Sequence, residues 1–169
     1  IVLDRDGEQR KQPFLDLRRE VKDDGKGGEQ GLLSIAFAPN YPETGRSYVA
    51  YTDRRDALRV VEFRIKPRDP LRADRKSARL VLRIPQPTAK HHGGLLVFGP
   101  DERLYIGSGD GGPSFDPGNK AQSKRLLLGK LLRLDPTKHG RKPYSLPKDN
   151  PFVGRPGRGN CGGARWFRG

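Results

Sequence analysis

The chain has 169 residues, with 34 Lys and Arg against 20 Asp and Glu, and so a formal net charge of +14. A mean hydropathy of -0.82 and the lack of any apolar run near the roughly 18 residues of a membrane-spanning helix exclude a helical membrane protein. A single cysteine, Cys161, excludes an internal disulfide framework and a multi-cysteine zinc site.

Methionine is absent and Ile1-Val2-Leu3-Asp4 does not read as a secretion leader. The expectation is a processed product or an internal piece of a longer protein. The basic residues are dispersed and mixed with acids, as in Asp53-Arg54-Arg55-Asp56, with no aromatic-interleaved basic ribbon. That pattern reads as a solvated charged surface and not as a nucleic-acid interface.

Strand signals run through the chain. Ser47–Thr52 and Leu104–Ile106 are short, aromatic and β-branched, while Val61–Lys66 and Arg79–Ile84 alternate apolar and charged residues. Alternation of period two places one row on a core and the other in water. Turn signals separate them at Pro39-Asn40-Tyr41-Pro42, Gly99-Pro100-Asp101 and Asp116-Pro117-Gly118-Asn119. The leucine-rich stretch 121–134 is read as a turn to about Leu127 and a strand from Leu128 to Leu134. The chain is expected to be all-β.

A repeat organises these strands. Gly31-Leu32-Leu33 and Phe37-Ala38-Pro39 return as Gly94-Leu95-Leu96 and Phe98-Gly99-Pro100, offset by 63 and 61 residues. Each copy predicts a buried strand, a Pro-containing turn and an aromatic-bearing second strand, as in the blades of a propeller. The second copy continues into a long Gly- and Asp-rich loop, Gly107 to Asn119, where the first has only Asp53 to Ala57. Extra loop length on one repeat is where a site is expected.

Candidate chemistry lies at the start of that second copy. His91 and His92 precede Gly93-Gly94, and neighbours on an extended segment diverge, so one of them at most faces a common site. Histidine accepts a proton near neutral pH. Asp110 follows 19 residues later, where a hairpin would bring it beside His91 to hold the imidazole; capping a local turn is its other reading. Asp110, Asp116 and Asn119 could alternatively ligate calcium, without EF-hand spacing. Glu29 and Gln30 occupy the equivalent corner of the first copy and are expected to look onto the same face as His91.

The stretch Gly27-Gly28-Glu29-Gln30-Gly31-Leu32-Leu33-Ser34-Ile35-Ala36-Phe37-Ala38-Pro39-Asn40-Tyr41 resembles the first signature of the soluble glucose/sorbosone dehydrogenase family. His91-His92-Gly93-Gly94, Phe98-Gly99-Pro100-Asp101 and Leu104-Tyr105-Ile106-Gly107-Ser108-Gly109-Asp110-Gly111-Gly112 are similar to its second. The likeness continues in order through Leu128–Asp135 and Asp149–Gly154. It implies a partial six-bladed β-propeller, with about two to three blades in residues 1–157. It implies pyrroloquinoline quinone (PQQ) and Ca2+ as cofactors, an aldose as substrate and an external electron acceptor. On the same resemblance His91 is the general base, also touching the cofactor, and Asp110 orients it. Glu29, Gln30 and Lys90 lie near the sugar, most cofactor contacts belong to later blades, and the location is periplasmic or secreted. Relatives similar to the Hedgehog-interacting protein imply a second role, a non-catalytic propeller segment that binds protein or glycan.

Lys90 and His92 depart from the family's usual Asn-His-Asn-Gly-Gly. Residues 158–169 depart from it altogether, with four Gly, three Arg and no acid. They are expected to be an aberrant basic tail left by truncation or frameshift, and the isolated chain is expected to be inactive and prone to aggregate.

Overall fold

The alternating segments pair into two antiparallel sheets of four strands each in the computed structural model, which describes residues 6–22, 28–153 and the backbone of 164–165. The first sheet runs β1 (Leu32–Phe37), β2 (Arg46–Thr52), β3 (Ala57–Lys66) and β4 (Asp69–Pro85), each strand beside the next. The second runs β5 (Gly93–Phe98), β6 (Leu104–Ser108), β7 (Lys130–Leu134) and the two-residue β8 (Ala164–Arg165). Two such meanders in succession are the blades that the repeat predicts. Residues 158–163 and 166–169 of the expected tail lie outside the described residues, and Ala164–Arg165 pair with Leu131–Leu132.

Local chemistry sets the turns. The Asp53 carboxylate accepts hydrogen bonds from the backbone N–H of Arg55 (2.9 Å) and Ala57 (3.0 Å), closing the β2–β3 turn. Pro39–Pro42, expected as a turn, leads into a single helical turn, α1 (Tyr41–Thr44), with Pro42 in its first turn and Gly45 left-handed at its end. β7 begins at Lys130, two residues later than expected, because Gly129 is left-handed (φ 65°) and interrupts the extended run.

One buried cluster draws Ala50, Leu58, Val60 and Val81 from the first sheet and Leu96, Leu104, Ile106 and Leu132 from the second, so the blades pack face to face. A second cluster forms on the first sheet's other face, where Phe14, Leu15, Leu17 and Val21 cover Val49, Tyr51, Val61 and Phe63. β2 therefore alternates between two cores, Tyr48 and Ala50 against Val49 and Tyr51, and neither row meets water. The first strand of each copy, expected to be buried, is only half so: Leu32, Ile35, Phe37, Leu95 and Val97 are exposed. β1 and β5 both end on the repeated phenylalanine, so the 61-residue offset is the one the strands obey.

The charged row of β3 departs most from expectation. Glu62 is buried, not solvated, because Tyr48 donates its hydroxyl to it (2.8 Å) and Arg79 of β4 donates Nη2 (2.6 Å). Arg79 also donates to the carbonyls of Pro136 and Pro143 beyond β7, which ties the outer strand of one blade to the other blade. Burial pushes the Glu62 carboxyl up, yet the hydrogen bonds from Arg79 and Tyr48 outweigh it and hold the group below its ordinary value of 4.5.

Removing one partner of such a pair strands a buried charge. Arg79→Met in the full-length protein is expected to cost about 3 kcal/mol in urea unfolding. The contribution of Glu62 is complete above the ordinary carboxylate range and is lost as pH falls through the depressed value. Wild type is therefore expected to lose melting temperature on acidification below about pH 4 more steeply than Glu62→Gln.

Candidate active site

The end of β6 and the start of β5 meet at a backbone crossing. Gly109 donates its N–H to the carbonyl of His92 (3.0 Å), and Gly111 donates to that of His91 (3.1 Å). A Cβ on Gly109 would run into the His91 carbonyl, and one on Gly93 would stand 2.5 Å from the Gly109 nitrogen. Glycine at both positions is what allows the approach.

His91 is not extended, as expected from sequence, but left-handed, with φ 55°. That conformation is uncommon outside glycine. It is held by the bond from Gly111 and by a short hydrogen bond from the His91 N–H to the Glu29 carboxylate. The turn swings the imidazole toward Asp110, whose Oδ1 lies 2.9 Å from Nδ1. The same Oδ1 accepts the N–H of Gly112 (2.7 Å), which fixes the carboxylate from its other side. Since a carboxylate only accepts, Nδ1 carries the proton and a neutral ring presents Nε2 as a lone pair. The His91 and Asp110 side chains are 34% and 19% exposed, so the pair is in part accessible to solvent.

His92 goes the other way and is fully buried. Its Nε2 donates to the Thr88 carbonyl (2.8 Å), so Nδ1 accepts the hydroxyl of Thr52 (2.9 Å) at the end of β2. The divergence of the two histidines expected from sequence is realised, and His92 is a pin between the blades. Thr52 and Thr88 are the partners that sequence reasoning missed; no spacing rule links a strand end to a loop 36 residues on.

Of the remaining candidates, Glu29 reaches His91 through the backbone, while the Gln30 amide is turned to the Asp56 carboxylate in a short hydrogen bond. Lys90 is exposed beside His91. The alternative calcium ligands are not gathered. Asp116 accepts the N–H groups of Lys120 (3.0 Å) and Ala121 (2.8 Å) and pairs with the Lys120 ammonium, whereas Asp110 serves His91. Among the described residues no group of three or more His, Cys, Asp or Glu is placed to hold a metal ion. No helix among them is long and apolar enough to cross a membrane.

The loop carrying Asp110 is anchored at its far end. Gly129 donates to the Gly109 carbonyl (2.7 Å), and the buried Lys130 ammonium donates to the carbonyls of Lys120, Ala121 and Leu128. Asp110 is thus set between two fixed points.

Residues 2–160 match the Glucose / Sorbosone dehydrogenase family. The chain belongs to that family. The Hedgehog-interacting proteins of Mus musculus and Homo sapiens are each 40% identical over 161 residues, covering 89% of this chain and 23% of their own length. A solved structure of the PQQ-bound aldose sugar dehydrogenase from Streptomyces coelicolor is 33% identical, with a TM-score of 0.54, over 70% of this chain and 35% of that one. The apo-form of the soluble aldose sugar dehydrogenase from Escherichia coli is 27% identical, with a TM-score of 0.61, over 80% of this chain and 37% of that one. The chain therefore spans about a quarter of the Hedgehog-interacting proteins and about a third of these glucose/sorbosone family dehydrogenases.

The two adjacent histidines separate in a mutational test. His92→Ala is expected to lower unfolding free energy by about 2–3 kcal/mol, through a cavity and two unpaired groups. His91→Ala is expected to stay within about 1 kcal/mol of wild type. Denaturant titration of the full-length variants measures both.

Proposed function

We propose that the full-length protein oxidises an aldose at its anomeric carbon, with His91 as the general base and Asp110 as the residue that orients it. The observation that carries this reading is the 2.9 Å bond between His91 Nδ1 and Asp110 Oδ1 in a pair that solvent still reaches. Asp110 keeps the proton on Nδ1, so Nε2 is free to take the proton of the anomeric hydroxyl. The imidazolium so formed is stabilised by the same carboxylate. The left-handed backbone at His91 and the glycine crossing hold the ring in place before substrate arrives, which lowers the reorganisation needed during proton transfer.

PQQ, the group bound in the Streptomyces relative, supplies a hydride acceptor when present. The residues here fit one edge of such a planar, anionic group. Lys90 offers an exposed ammonium, and His91 Nε2 has no partner among the described residues. On this reading most of the remaining cofactor contacts come from later blades, and electrons leave to an external acceptor. On this reading Glu29 and Lys90, both beside His91, meet sugar hydroxyls, and Gln30 does so on release from Asp56. The proposed location is the periplasm or the extracellular space.

A second reading has its own support. Identity to the Hedgehog-interacting proteins, 40%, exceeds that to the dehydrogenase structures described above. On that reading the blades form a protein- or glycan-binding surface and the His91–Asp110 pair is a structural remnant.

Dye reduction by the full-length protein with PQQ, calcium and a panel of aldoses distinguishes them. His91→Ala is expected to lower kcat by about 10²–10⁴-fold, and Asp110→Asn by a comparable factor with little change in KM. Equal turnover in wild type and His91→Ala removes His91 from the chemistry. Absence of quinone uptake by wild type favours the binding reading.

A further inference from the structure

The β2–β3 turn and the N-terminal segment together line an open cleft of about 380 Å³ whose walls carry five arginines, Arg19, Arg54, Arg55, Arg59 and Arg83. Only two carboxylates, Glu20 and Asp53, share it, so a surplus of three positive charges faces one small volume. Asp53 is already divided. Its Oδ2 accepts Arg59 Nε at 2.7 Å and lies 3.7 Å from Arg83 Nε, while its Oδ1 closes the turn. Glu20 is drawn away by Arg75. Arg54 spends its donors on the neutral carbonyls of Arg18 and Arg19, which position the guanidinium without cancelling its charge. The side chains of Arg19 and Arg55 are exposed and have no hydrogen-bond or ion-pair partner among the described residues.

Guanidinium groups present paired N–H donors whose spacing matches two oxygens of a tetrahedral oxyanion. Three uncompensated charges suit a sulfate or phosphate group better than a single carboxylate. The cleft is larger than a bare ion and falls at the small end of ligand sites, with room for about one sugar ring. Its position is also informative. Tyr51, on the cleft wall, pairs with Leu32 at the start of β1, and the adjacent Thr52 bonds His92. Neighbouring residues of a strand face opposite ways, so the cleft lies on the outer face of the first sheet, across β2 from His92.

We infer that this cleft is a binding site for a sulfate or phosphate group, carried on a saccharide or free. The inference does not rest on catalysis by His91. Sequence alone placed Arg54 and Arg55 on a solvated surface; the fold adds Arg19, Arg59 and Arg83 from three other segments.

Isothermal titration of the full-length protein at constant ionic strength tests it, with glucosamine 6-sulfate, glucose 6-phosphate, the unesterified sugars, inorganic sulfate and inorganic phosphate as probes. Saturable binding of the esters at least tenfold tighter than of the unesterified sugars is expected, and a tenfold or greater loss in both Arg55→Glu and Arg19→Glu. Neither exposed side chain holds the fold together, and an unchanged melting temperature checks that. Inorganic ions binding as tightly as the esters identifies the free anion as the ligand; tighter binding of the esters identifies the saccharide. No saturable binding by any oxyanion probe, or equal affinity in the two variants, overturns the inference.

Discussion

Everything at the candidate site depends on how closely two backbones approach. The turn at His91 and the chain leaving β6 lie within direct hydrogen-bonding distance through Gly109 and Gly111, with no Cβ between them. The steric allowance at Gly93 and Gly109 lets Asp110 reach His91 from the opposite limb of the β5–β6 hairpin. A left-handed histidine is an unfavourable local choice, and here three separate hydrogen-bonded contacts over-determine it. Local strain and a preset imidazole are the same feature seen from two sides.

The second histidine connects that crossing to the packing of the blades. With His91 turned out, His92 is driven inward, where it can be tolerated only with both ring nitrogens bonded. Its partners come from the end of β2 and from the β4–β5 connection, so the imidazole registers one blade against the other. Arg79 does the same at the outer strands through Glu62 and the carbonyls beyond β7. The inner and outer ends of the inter-blade contact are thus each held by a buried polar group, and the apolar cluster fills the space between.

Much of this was legible from residues. Period-two alternation located β3 and β4, the repeat located the blades, and the Gly-rich loop after the second copy located Asp110 beside His91. Glu29 at the equivalent corner of the first copy was also foreseen, although its contact is with the His91 backbone. What escaped shares one cause, contact between segments distant in sequence. Glu62 reads as a solvated charge until Arg79 and Tyr48 enclose it. The segment that covers Val49 and Tyr51 of β2, Phe14 to Val21, carries no strand signal and is not singled out by sequence. A left-handed His91 cannot be read from a His-His-Gly-Gly string, because the partners that stabilise it are Glu29 and Gly111. Gln30 was placed beside the sugar by resemblance, while the turn at Asp56 offers its amide a nearer acceptor.

The anchoring of the long loop has a consequence for diversity. Its base is clamped where Gly129 meets Gly109, and Lys130 gathers three carbonyls beneath it, so the span from Pro113 to Asn119 hangs from a closed ring of contacts. Phe115 at its crest is wholly in solvent and supports nothing below. Phe115 can be exchanged at little thermodynamic cost, whereas Asp116 beside it holds the Lys120 and Ala121 N–H groups. A fold with this arrangement is free to vary the crest of its rim while the His91–Asp110 pair stays where it was.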